Sequence, residues 1–95
     1  MSAYLLSMIT VTNLEKFKEY AALTAAAVEK YDAKFLTRGG KLELIEGEMP
    51  HSRVVITEFK DMDTARAFCA SPEYQLAKEK RLDAADFNAV IIEGT

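Results

Sequence analysis

Apolar residues run through both registers of Ala3–Val11, AYLLSMITV. In an extended chain Tyr4, Leu6, Met8 and Thr10 fall on one side, and Leu5, Ser7, Ile9 and Val11 on the other. A strand this apolar on both sides is expected to be covered on both faces. Thr12 and Asn13 end it, and Asn13 suits a helix cap. From there to about Lys30 the period changes. Leu14, Phe17, Ala21, Thr24, Val28 and Tyr31 recur in steps of three and four, marking one core-facing stripe. Glu15, Lys16, Lys18, Glu19, Glu29 and Lys30 lie mostly off that stripe, and no glycine or proline interrupts the segment.

Lys34 to Arg38 reads as a short strand that meets Gly39-Gly40, and Leu42 to Glu46 resumes extended structure. The two glycines suit either a tight hairpin or a bulge bending one long strand, and the bulge is the preferred reading. Gly47 to Ser52, with Pro50, is a loop, and Arg53 to Phe59 is a strongly β-prone strand. Asp61 or Asp63 caps a second helix carrying Met62, Ala65, Phe68 and Cys69. Pro72 breaks it. Ser71-Pro72-Glu73 then supplies a capping hydroxyl, a first-position proline and a first-turn acid, starting a helix to about Ala84 or Ala85. Asn88 to Glu93 closes the chain as a strand, with no repeat or linker anywhere.

The order β, α, β, β, α, β predicts one ferredoxin-like domain over residues 1–95, an α+β fold with helices on one face of a four-stranded antiparallel sheet. Helices cover only one face, yet the first strand is apolar on both, and Val54 and Ile56 alternate with Val55 on the third. In a chain of 95 residues the simplest cover is a second copy of the same sheet, so the expected assembly is a homodimer.

Over nearly its whole length the chain resembles a family of uncharacterised bacterial proteins of the dimeric α/β-barrel superfamily. The residues that carry the resemblance are Ala3-Tyr4, Val28-Glu29-Lys30-Tyr31, Arg38-Gly39-Gly40, Glu46-Gly47, Arg53-Val54-Val55-Ile56 and Glu58-Phe59. Ala65-Arg66-Ala67-Phe68, Ser71-Pro72-Glu73-Tyr74, Arg81 and Glu93-Gly94 follow in order. The resemblance implies the fold and the dimer and carries no settled activity. The chain departs from that pattern at Asp32-Ala33, where relatives often have a glycine pair, at Met49, where a tryptophan is common, and at Cys69, where a second aromatic follows the first.

Charge and composition narrow the function classes. Fifteen acidic against twelve basic residues leave a net charge of −3, which argues against broad binding of nucleic acid or anionic membrane. No apolar run approaches the roughly 20 residues of a membrane span, and no signal peptide is evident. The single cysteine, Cys69, permits no internal disulfide and sits in an apolar helical pattern as a small hydrophobe. A cytoplasmic location fits all of this.

One histidine and one cysteine cannot build a zinc cluster, and the acids show no calcium-loop spacing, so neither a metal nor a cofactor is expected. Gly39-Gly40 lacks the spacing and following Lys-Ser/Thr of a phosphate loop. RNA recognition on this fold needs exposed aromatics on central strands within a basic surface, and the third strand offers Phe59 alone.

Polar residues at places where packing favours apolar ones remain. Glu58 ends an apolar central strand and needs a cation, with Arg38, Arg53 and Arg81 as the candidates. Arg38 beside two glycines, His51 in its loop and Tyr74 at a helix start are the other candidate ligand-binding residues. Arg38, His51, Glu58 and Tyr74 are expected to approach one cavity. Three readings stand at this point: a binder of a small acidic or aromatic metabolite, a cofactor-independent enzyme of monooxygenase or isomerase type, and a structural or stress-related dimer without ligand. The enzyme reading rests on fold analogy alone.

Overall fold

The computed structural model describes residues 1–95. Its elements are β1 (Ala3–Val11), α1 (Leu14–Lys30), β2 (Lys34–Arg38), β3 (Arg53–Phe59), α2 (Met62–Ala70), α3 (Pro72–Arg81) and β4 (Ala85–Glu93). The four strands form one antiparallel sheet in the order β2-β3-β1-β4, which puts β1 and β3 at the centre. The principal extents are 31 × 30 × 17 Å, a thickness that accommodates one sheet and one layer of helices. This is the ferredoxin-like arrangement expected from the order of elements.

Local chemistry explains the helix boundaries. The Asn13 side chain accepts from the Lys16 amide at 3.2 Å, and Asp61 accepts from the Thr64 amide at 2.7 Å. Between α2 and α3 the Ser71 hydroxyl donates to the Phe68 carbonyl at 2.6 Å and accepts from the Tyr74 amide at 3.1 Å. One buried serine thus closes one helix and opens the next, with Pro72 in the first turn, where its missing amide proton costs nothing. Asp32, where the resemblance leads one to expect glycine, takes a left-handed φ of 53° in the turn after α1. Aspartate tolerates that region better than most side chains.

Three expectations are corrected. The stripe of α1 is rotated: Phe17, Tyr20, Thr24, Ala27 and Val28 are buried, while Leu14, in the first turn, is exposed. The last helix ends at Arg81 and β4 begins at Ala85, because β1 pairs along its full length up to Val11↔Ala85. The long kinked strand through Gly39-Gly40 is absent. β2 ends at Arg38, Gly39 turns at a φ of 74°, and Leu42 to Glu46 form no strand. A bulge does exist, but earlier, at Leu36, where the register jumps from Phe35↔Thr57 to Thr37↔Ile56.

The sheet has two unlike faces. Ala3, Leu5 and Ile9 of β1, with Phe59 of β3, pack under the helices against Phe17, Tyr20, Val28, Phe68, Tyr74 and Ala77. The other face carries Leu6 and Met8 beside their partners Ile56 and Val54, with Val90 and Ile92 on β4. No helix or strand covers it, only the loop at Pro50 and His51 crosses one end at Thr10 and Asn88, and Val90 and Ile92 are 52% and 53% exposed.

Candidate functional site

Period-two geometry aims Leu5, Ser7 and Ile9 of β1 at the helices. Pairing with β3 sets Thr57, Val55 and Arg53 directly beside them. A small cavity of about 30 Å³ lies above this row. Tyr20 and Thr24, one helical turn apart on α1, close it from above, and Phe35 and Arg38 of β2, with Phe68 and Tyr74, complete the wall. That volume has room for a water or two, whereas pockets that enclose metabolites typically run to several hundred Å³ (about 300 and upward). A larger guest therefore requires the rim to move.

The lining is more polar than packing alone requires. Ser7 and Thr57 are buried, and the buried Thr24 hydroxyl has no hydrogen-bond partner. The Tyr20 and Tyr74 hydroxyls meet at 3.3 Å, with their rings edge to face at 6.3 Å. Burial pushes the Tyr20 hydroxyl well above the usual tyrosine range, and the neighbouring Tyr74 adds to the shift.

Three guanidiniums surround this cluster on aromatic supports. Arg38 lies over the Phe35 ring at 4.5 Å and donates from Nη2 to the Ala21 carbonyl at 2.8 Å. Arg53 lies over Phe17 at 5.6 Å. Arg81 stacks on Phe87 at 3.7 Å and also faces Tyr20 at 5.4 Å. The buried Nε atoms of Arg53 and Arg81 have no hydrogen-bond partner.

The candidate set from the sequence therefore splits. Arg38, Arg53 and Tyr74 line one cavity, and Arg81 stands beside it against Tyr20. His51 and Glu58 do not join them. Glu58 pairs across β1 with Tyr4, on the uncovered face, and its cation is Lys34 at 3.5 Å rather than an arginine. With Glu58 27% and Lys34 70% exposed, the pair contributes at most about 1 kcal/mol, unlike the buried central pair expected. His51 is held between Thr10 and Asn88, each at 3.0 Å, and borders the loop of Leu42 to Met49. The expectation of one cavity shared by Arg38, His51, Glu58 and Tyr74 is overturned, because the sheet separates the two groups.

Ser7, Tyr20, Thr24 and Thr57 line the cavity but are not among the candidates read from the sequence. Ser7 and Thr57 carried a signal, since each is a hydroxyl on a strand face that must be buried. Tyr20 carried none, because it lies one step off the stripe as spaced in sequence. Cys69 is half-buried against the core, and burial raises its thiol above the usual range. No group of three or more His, Cys, Asp or Glu side chains is placed to hold a metal ion, and no helix is long and apolar enough to cross a membrane.

Comparison with solved structures shows the fold. A protein of unknown function from Rhodopseudomonas palustris superposes with a TM-score of 0.78 at 16% identity, over 99% of this chain and 82% of that one. A dimeric ferredoxin-like protein of unknown function from Jannaschia sp. gives 0.76 at 16% identity, over 99% of this chain and all of that one (100%). A single-residue mutant of SnoaB, a cofactor-independent oxygenase from Streptomyces nogalater, gives 0.70 at 19% identity, over 98% of this chain and 92% of that one. No curated protein matches the sequence. The family model for a domain of unknown function, DUF1330, matches residues 2–95, and the chain belongs to that family.

Proposed function

We propose that the protein is a homodimer, each protomer binding a small acidic or aromatic metabolite in the cavity between sheet and helices. The observation that carries the binding reading is the polar lining of the helix-covered face. Ser7, Thr24, Thr57 and the Tyr20–Tyr74 pair occupy positions that packing alone would fill with apolar side chains. Arg38, Arg53 and Tyr74 are the ligand-facing set, with Arg81 behind them against Tyr20. The dimer is supported by the apolar, uncovered face around Leu6, Met8, Val54, Ile56, Val90 and Ile92, and by the dimeric Jannaschia relative. A single free cysteine and the lack of a bilayer-spanning helix agree with residence in the cytoplasm, which belongs to the same proposal.

Native mass spectrometry of the protein purified from its own host tests both parts. The expected result is a dimer mass increased by one small molecule per protomer. A bare dimer that also ignores a library of aromatic acids and phenols in solution counts against binding. A stable folded monomer at micromolar concentration counts against the dimer.

A second reading, cofactor-independent oxygenation, is favoured by the likeness to the Streptomyces nogalater oxygenase and by guanidiniums able to hold a substrate anion beside a tyrosine pair. Oxygen uptake with electron-rich phenols, in the absence of added metal or flavin, distinguishes it from simple binding.

A further inference from the structure

Two separate backbone devices bring Arg38 and Arg53 to the same cavity. In regular pairing, side chains three residues apart on a strand point to opposite faces. Phe35 and Arg38 nevertheless share the helix-covered face, because the extra residue Leu36 resets the alternation between Phe35↔Thr57 and Arg38↔Val55. The second device is Gly39. Its φ of 74° is one that side chains rarely adopt, and a Cβ there would collide with the Arg53 guanidinium. The glycine supplies both the turn and the space the guanidinium occupies.

Neither arginine has an acid. The ion pairs of the protein use Lys18, Lys30, Lys34 and Arg66, and no acidic residue is among the 14 that line the cavity. In a chain with 15 acidic and 12 basic residues, unpaired cations on one rim are not the product of a basic excess. The buried, partnerless Nε of Arg53 is a further donor without an acceptor.

We propose that Arg38 and Arg53 form a carboxylate clamp for a small monocarboxylic acid with a flat apolar or aromatic body. This rests on the binding reading above and names its ligand class. Guanidinium and carboxylate match in planarity and pair through two parallel hydrogen bonds. Phe35 and Phe17 hold the two guanidiniums from one side, which reduces the ordering cost of binding. The present partner of Arg38 is a neutral carbonyl, that of Ala21, and an ionised carboxylate is the stronger acceptor. Release from Ala21 opens the rim, and the body of the acid then meets Phe17, Tyr20 and Tyr74.

Titration of the intact protein with benzoate, benzamide and inorganic phosphate, followed by tyrosine fluorescence and ligand-observed NMR, tests the clamp. Benzoate is expected to bind about 10-fold or more tightly than benzamide, which has the same shape and no charge. Arg38→Gln, at an exposed position, is expected to remove that preference without changing the melting temperature, and Arg53→Lys to weaken it. Equal binding of benzoate and benzamide, or an unchanged preference in both variants, overturns the clamp and leaves cavity binding standing. Phosphate that displaces benzoate at lower concentration overturns the carboxylate class. Binding of neither aromatic probe at millimolar concentration overturns the clamp and the cavity reading together.

Discussion

Each face of the sheet departs in its own way from the pattern that burial alone would produce: the covered face is largely apolar but includes polar residues, and the open face includes a row of aliphatic ones. The face under the helices holds Ser7, Thr57 and Arg53, while the face without cover holds Leu6, Met8, Ile56, Val90 and Ile92. Buried hydroxyls weaken a core unless something uses them, and exposed aliphatic side chains gain nothing unless something removes them from water. On the proposed reading the covered face serves a ligand and the open face a second body. Each assignment can be broken separately.

The largest effect is expected on the open face. Ile56→Asp places a carboxylate among Leu6, Val54 and their neighbours without touching the helix-side core. A desolvated, unpaired charge costs several kcal/mol (about 3–5) at an interface, so light scattering should show monomer at concentrations where the parent chain is a dimer. An unchanged dimer mass would mean that this face is not the interface.

Next comes the backbone of the covered face. Gly39→Val combines a disfavoured φ with a collision at Arg53 and should cost about 1–3 kcal/mol, read as a lower melting temperature. Gly40→Val should cost less, because its backbone is not left-handed and its Cβ meets only the Thr37 hydroxyl, at 3.1 Å. The strain therefore sits at the first glycine of the pair and not at the second. Equal effects at the two glycines would remove the special role of Gly39.

A third measurement concerns pH. Tyr20 holds its proton more tightly in the folded protein than in the unfolded chain, where a tyrosine ionises near pH 10. The unfolded chain therefore releases this proton first on alkalisation. The stability that Tyr20 contributes is complete below about pH 10 and is lost progressively above it. Melting temperatures across that range should fall less steeply in Tyr20→Phe than in the parent chain. Parallel curves would show that the tyrosine pair is not the alkaline weak point.

The smallest effect separates packing from binding. Thr24→Val keeps the shape and removes a buried hydroxyl that has no partner. Stability should hold or rise by up to about 1 kcal/mol, while ligand affinity falls. A clear loss of stability would mean that the hydroxyl has a structural task.

Much of the fold was legible because it depends on neighbours in sequence. Asn13, Asp61 and Ser71-Pro72 mark helix starts through bonds that span three residues, and β1, β2 and β3 fall on the residues their patterns mark. The two-sided apolar pattern of β1 also anticipated a sheet face left uncovered within one chain. The site was legible only in part. Arg38, Arg53 and Tyr74 were marked by their residue type and position, but Glu58 and His51 were grouped with them because chain order does not say which face a side chain takes. Glu58 stands one residue from Thr57, and that single step places it across the sheet.

The sequence by itself determined the order and type of most elements, their caps and a first strand apolar on both faces, since all of these follow from local bonding and periodicity. Only the tertiary structure decided which polar residues meet. One extra residue at Leu36 turns Arg38 toward the helices, and the left-handed turn at Gly39 leaves room for Arg53. In a sheet every side chain's face is set by cumulative register, so a single inserted residue outweighs everything that composition can indicate.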